Sequence, residues 1–403
     1  MVRGLAILIA ATWLASPALA EPRRPQNNWT GSWATSEQIP EERNALAAHD
    51  LDDATLRQTV HLSLTGAPLR LRLSNAFGTV PWHIAAAHIA RAAAPGSDAI
   101  AAGSDTALRF AGQDDVTIPS GAEYVSDPVT LAGADIAITL YFDTALAQQT
   151  SHPGSRTTSY LLHGDHVSDV ALPGAKTFDH WFNIAGIDVQ SPRGAAIVVL
   201  GDSITDGRGS TTNANDRWTD ALAQRLAAAK REVGVLNHGI GGGHVLLDGL
   251  GPSAMSRFDR DVLAQPGARW LIVFEAINDI GTFDPDGSKP KAAHDALVRQ
   301  LTTAYGQMIA KAHDAGIKVY GATITPFMDC MPYHPKPITE ADRIAVNAWI
   351  RVHFDAVLDF DKAVRDPARS DHLSSAYDSG DGLHLSPAGY RALAAAIPLS
   401  LFQ

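Results

Sequence analysis

Apolar positions recur with two different periods along this chain, and the change falls near Pro192. From about Asn28 to Ile187, short runs alternate apolar with polar residues and are separated by glycine and proline. Thr59-Val60-His61-Leu62-Ser63-Leu64 leads through Gly66 and Pro68 into Leu69-Arg70-Leu71-Arg72-Leu73-Ser74, with leucines on one face and arginines on the other. A repeat of two is the pattern of a half-buried strand. Residues 135–142 and 157–162 follow it as well. Many short strands joined by turns predict an antiparallel β-sandwich or jelly-roll-like domain, assigned to residues 21–188. The alanine-rich stretch 85–94 fits a helix as readily as a strand.

Beyond Pro192 the pattern becomes strand and helix in turn. Residues 195–200 form a continuous apolar run, the mark of a strand covered on both faces. Trp218, Leu222 and Leu226 then fall at helical spacing within a helix expected over 216–231. Further strands are expected at 233–236, 270–274, 318–324 and 357–360, with helices near 253–263, 292–315 and 340–354. The last helix opens with Ser386 as cap and Pro387 in its first turn. This alternation predicts an α/β fold, a doubly wound parallel sheet over residues 189–403. Ligands collect in such sheets beyond the carboxyl ends of the strands. Ser203 follows the first strand, Gly239 to Gly243 the second and Asn278 the third, while Asp381 and His384 lie beyond the fifth. All of these loops are therefore expected at one edge.

Composition narrows the classes. A chain of 403 residues with 45% hydrophobic and 19% charged residues is globular and long enough for two domains. A net charge of −11 argues against a nucleic-acid partner or an anionic membrane surface. Arg3, the apolar residues 5–14 and Ala18-Leu19-Ala20 read as a signal peptide over 1–20, so a secreted or periplasmic protein without a stable membrane anchor is expected. Cys330 is the one cysteine and reads as a bystander rather than a nucleophile. His152, His163, His166 and His180 match no zinc spacing, so neither a metal nor a cofactor is expected.

Gly201-Asp202-Ser203 and Asp381-Gly382-Leu383-His384 supply a serine at a strand end and, much later, an acid and an imidazole three positions apart. A hydroxyl becomes a useful nucleophile when a base removes its proton and a third group holds that base in one tautomer. With Asn237-His238-Gly239-Ile240-Gly241-Gly242 and Ala276-Ile277-Asn278-Asp279 between them, the pattern resembles the SGNH hydrolases, also called the GDSL esterase/lipase family. The resemblance spans roughly Pro192 to Gln403 and implies a flavodoxin-like sheet. It implies Ser203 as nucleophile, His384 as base, Asp381 as its acid, and an oxyanion hole from Ser203, Gly242 and Asn278. Ala276 stands where that family writes glycine, and its methyl group is expected to crowd the backbone slightly. Asp202 and Asp206 read as residues that order the loop. The α/β-hydrolase arrangement is rejected, because Thr205 occupies its second glycine position and acid and base are too close in sequence.

The expected function is that of an exported serine esterase acting on short-acyl or acetyl esters of a small molecule or glycan. Alternatives are a lysophospholipase or lipase, which would need a wide apolar groove, and a non-catalytic carbohydrate-binding protein on the same scaffold. Trp29, Trp33, Phe77, Trp82 and Tyr124 could stack on sugars, but core packing is the favoured reading. The loop Pro326 to Thr339 either lips the pocket or packs away from it.

Overall fold

The computed structural model describes residues 29–403; the signal-peptide reading over 1–20 lies outside the described residues. The first half holds two large antiparallel sheets and two two-stranded ones, Ser151–His152 with Trp181–Phe182 and Trp82–Ile84 with Val116–Ile118. One large sheet runs in the order Lys176–Phe178, Ser159–His163, Ala54–His61, Asp135–Phe142, Ala86–Arg91, Thr106–Ala107. The other orders Trp29–Ala34, Ile184–Gln190, Leu69–Ser74 and Glu123–Val125. Leu56, Ile138 and Leu140 of the first sheet share one core with Leu69, Leu71 and Leu73 of the second. Alternation settles the alanine-rich stretch as a strand: Ala87 and Ile89 are buried, while the His88 ring is 2.7 Å from Asp105.

The arginine face of Leu69–Ser74 differs from the half-exposed face that a period of two suggests. Arg70 and Arg72 approach the buried Asp188 carboxylate at 3.0 and 3.4 Å, and Arg72 donates to Gln265 of the second half at 2.7 Å. The second half covers this face, so the alternation marks a seam between halves. Backbone meets backbone there. Gly31 N–H donates to Pro266 O at 2.8 Å, and a Cβ on Gly234 would lie 2.0 Å from Gly31 O.

The second half is a five-stranded parallel sheet in the order Val233–Gly239, Ala195–Gly201, Ala268–Phe274, Lys318–Ala322, Ala356–Leu358. Numbered along the chain this is 2-1-3-4-5, the flavodoxin-like order, whose switch point lies between the first and third strands. Every residue from Ala196 to Leu200 is fully buried, as the continuous apolar run requires. Gly201 pairs with Gly239 on one side and Phe274 on the other, so three strand ends stop level. Trp218–Ala228 packs on Pro387–Ala395, and Lys291–Asp314 on Pro337–His353.

Element ends moved for local reasons. The helix expected from 216 starts at Trp218, because Asn215 takes φ +48 and Asp220 accepts from Arg217 N–H at 3.0 Å. The helix expected from 340 starts at Pro337, whose ring suits a first turn. The segment expected as helix 253–263 is α-helical over Ala254–Phe258 and then widens into one π turn, Asp259–Leu263. Single turns at Ser203–Asp206 and Ile277–Gly281 are too short to leave a period, yet both carry site residues.

Candidate active site

Ser203 is positioned by its own turn. Asp202 caps that turn by accepting from Ile204 N–H at 2.8 Å, and Gly207 closes it with φ +104 and an N–H to Ser203 O at 2.9 Å. Asp202 therefore orders the loop. The segment bearing His384 is organised by two carboxylates. Asp378 accepts from the N–H groups of Gly380 and Gly382 at 2.9 and 3.1 Å. Asp381 accepts from those of Leu383 and His384 at 3.0 and 2.8 Å, which folds the acid back onto its own histidine. Its second oxygen meets His384 Nδ1 at 2.6 Å, and His384 Nε2 meets Ser203 Oγ at 2.8 Å. Burial alone would raise the Asp381 carboxyl, but the His384 ring and the backbone N–H groups hold it well below the usual carboxylate range. An acceptor on Nδ1 keeps the proton there and leaves the Nε2 lone pair facing the hydroxyl.

Opposite His384 lie the glycine loop and Asn278. Gly242 sits at φ +67, and its N–H donates to no backbone carbonyl within the described residues. Asn278 donates one amide hydrogen to Gly243 O at 2.6 Å and accepts from Tyr333 OH at 2.5 Å, so the second amide hydrogen is left for the cavity. Asp279 binds the loop to this turn through the N–H groups of Val245 and Leu246, at 2.8 and 3.0 Å. Ala276 departs from the expected mild crowding. It sits at φ +91, a left-handed conformation that costs an L-residue about 1–2 kcal/mol and glycine almost nothing. The strain is conformational.

Ser203, Gly242, Asn278, Asp381 and His384 line one cavity of about 460 Å³. The β-rich half forms its other wall, with Gln38, Arg43, Pro153, Arg156 and His180. Pro332 and Tyr333 bring the 326–339 loop to the rim, which the sequence left open. The Tyr333–Asn278 bond was not foreseen; the loop's length and its aromatic residues were the available signal. The aromatics singled out for sugar stacking lie elsewhere: Trp82 and Trp33 are buried in the β-rich core, and Trp29 and Phe77 are covered by Arg70 and Arg260. The four histidines are dispersed over separate partners. His152 holds Asp206 at 2.9 Å, His166 holds Asp169, and His163 and His180 face backbone carbonyls. Asp206 thus ties the serine turn to the other half. Cys330 is buried, and burial pushes its thiol up to about 11.

Beneath the serine lies a floor of buried acids. Burial pushes the Asp202 carboxyl up to about 7 against the pull of Ile204 N–H and Arg257, with the nearby Asp279 and Asp206 charges adding to the rise. Burial likewise raises Glu275 well above the ordinary value, and the Asp202 charge adds to it.

Residues 199–392 match the model of the GDSL-like lipase/acylhydrolase family. No curated protein matches the chain. Among solved structures it is similar to a lipase/acylhydrolase from Enterococcus faecalis, with 20% identity, 50% of this chain and 92% of that one covered, and a TM-score of 0.37. A variant of an acetyl xylan esterase from Geobacillus stearothermophilus matches with 20% identity, 50% and 92% coverage and a TM-score of 0.38. A GDSL-like lipase from Bacteroides thetaiotaomicron matches with 17% identity, 51% and 87% coverage and a TM-score of 0.37.

Proposed function

We propose that this chain is a carboxylic ester hydrolase, as the match of residues 199–392 to the GDSL-like lipase/acylhydrolase family model supports, and that Ser203, His384 and Asp381 act as its nucleophile, base and orienting acid. The observation that carries this reading is the 2.8 Å contact between Ser203 Oγ and His384 Nε2, backed by Asp381 at 2.6 Å. His384 takes the hydroxyl proton as Oγ attacks the ester carbonyl. The N–H groups of Ser203 and Gly242 and the free amide hydrogen of Asn278 receive the oxyanion. His384 then protonates the departing alcohol, and water repeats the sequence on the acyl-enzyme.

The acyl group is short in this proposal. Apart from Pro153, Leu250, Pro332, Tyr333 and Leu383, the cavity is lined by polar side chains and glycine, which suits an acetyl group better than a long hydrocarbon. Para-nitrophenyl esters from acetyl to palmitoyl, assayed on the native chain and on Ser203→Ala, test both points. Acetyl turnover is expected to be fastest, and the variant to lose on the order of 10⁴-fold or more in kcat with its circular dichroism unchanged. Activity surviving in the folded variant would sink the nucleophile assignment; a maximum at palmitoyl would transfer the reading to a lipase.

The same proposal takes the protein outside the cytoplasm. N-terminal sequencing of chain recovered from periplasm or medium is expected to begin at Glu21, and chain found only in the cytoplasm with an intact leader would refute export.

A further inference from the structure

The catalytic cavity carries unpaired positive charge in a chain whose net charge is −11. Arg156, from the β-rich half, and Arg208, just past the Ser203 turn, both border the catalytic cavity and an adjoining open pocket of about 500 Å³. Their backbones are fixed. Arg156 O accepts from Asn213 N–H at 2.9 Å. Arg208 N–H donates to Ser203 O at 2.9 Å, and its carbonyl accepts from Tyr390 OH at 2.5 Å. Their guanidinium groups are free: among the described residues neither has a carboxylate within 4.0 Å, and Arg156 Nε is buried without a hydrogen-bond partner. The acids around them are engaged elsewhere, Asp381 with His384, Asp206 with His152 at 2.9 Å and Glu41 with Asn44 at 2.5 Å.

One unpaired surface arginine is ordinary. Two that line the same open pocket from different halves of the molecule, beside the nucleophile, offer an anion two unpaired donors. That side is defined by the chemistry. The adjoining pocket is completed by Gly209, Ser379, Gly380 and Asp381, so it lies on the face where His384 is held. A leaving alcohol must present its oxygen to His384, whereas the carbonyl oxygen must turn toward Gly242 and Asn278.

We propose that Arg156 and Arg208 form a subsite for a compact anionic group on the alcohol half of the ester. The favoured substrates are then short-acyl esters of alcohols that bear a carboxylate or phosphate near the esterified oxygen. This rests on the serine-esterase reading above. A guanidinium fork matches either anion in two parallel hydrogen bonds. In an acidic protein the two cations also overcome the general repulsion that an anionic substrate would meet.

Three acetyl esters with the same ring test it: para-acetoxybenzamide, para-acetoxybenzoate and para-acetoxyphenyl phosphate, each normalised to its rate of hydroxide hydrolysis. For the native chain, kcat/KM for at least one anionic ester is expected to exceed that for the neutral amide by about tenfold, and the ratio to fall as salt rises. In the Arg156→Gln/Arg208→Gln double variant the ratio is expected to collapse to about one. Whichever anion gives the larger ratio identifies the source of the charge. A native ratio of one or less, or a ratio preserved in the double variant, overturns the subsite. Calorimetry of benzoate and benzamide on Ser203→Ala separates this from the catalytic reading. Benzoate binding that the double variant loses supports the subsite even if no ester is turned over. Equal binding of the two probes, or none, overturns it even if ester hydrolysis is intact.

Discussion

The α/β half and the β-rich half reach the same cavity by different routes. In the α/β half each reactive group sits within a few residues of a strand end or inside a turn capped by its own neighbours, as with Asp202 over Ile204 and Asp381 over His384. The sheet order sets where those groups go. The β-rich half instead contributes Gln38, Pro153 and Arg156 from connections between strands, held by contacts across the seam. Arg217 donates to Ser155 O, Arg257 donates to Ser36 Oγ at 2.9 Å, and His152 grips Asp206. Reactivity therefore belongs to local backbone geometry and the shape of the cavity to long-range packing. Substitutions in the two halves should fail differently.

The largest expected effect lies wholly in the α/β half. Asp381→Asn keeps the size of the side chain but removes the acceptor that fixes the His384 tautomer. A fall of about 10³–10⁴ in kcat is expected, with KM and the melting temperature little changed, read by steady-state kinetics and thermal unfolding. A loss below tenfold would break the division, because it would mean that something other than the local turn orients His384.

The seam responds in stability. His152 and Asp206 are both buried, and His152 Nδ1 also faces Ser36 O at 2.8 Å. His152→Ala leaves the Asp206 carboxylate buried without its partner, at a cost of about 3 kcal/mol. A lower denaturant midpoint is expected, with the hydroxyl–imidazole chemistry of the remaining folded protein largely preserved. An unchanged midpoint would show that the halves are held by the Gly31–Gly234 backbone contact and the Arg72–Asp188–Gln265 group without this pair.

This division also explains what could be read from sequence. The parallel sheet was legible because Ala195 to Leu200 is apolar throughout and Trp218, Leu222 and Leu226 share one helical face. The convergence of Ser203, Gly242, Asn278 and His384 followed from strand ends alone. The buried face of Arg70 and Arg72 was hidden, since period two is the same whether water or another layer covers the polar side. Arg156 was hidden because its connection carries no period that points toward the site, and the loop of Tyr333 stayed open because its length and aromatic residues suit a lip and a packed excursion alike. Ala276 was flagged as a departure, but its cause, a positive φ, is a property of the backbone that composition does not express.

The smallest effect tests the floor beneath the serine, where the buried Asp202 has no cation within 4.0 Å among the described residues, whereas Asp188 at the seam has Arg70 and Arg72. Burial raises the Asp202 carboxyl from 3.8 to about 7. Between those values the folded chain holds a proton that the unfolded chain has released. Stability from this group is thus full below about pH 4 and is lost as pH rises through 7. Asp202→Asn keeps an oxygen for the Ile204 N–H and removes both the titration and the charge that helps raise Glu275. The native melting temperature is expected to fall between pH 4 and 8 by a few degrees more than that of the variant. Parallel pH profiles would mean that Asp202 stays ionised beside Arg257, and that the floor is paired after all, in the manner of the seam.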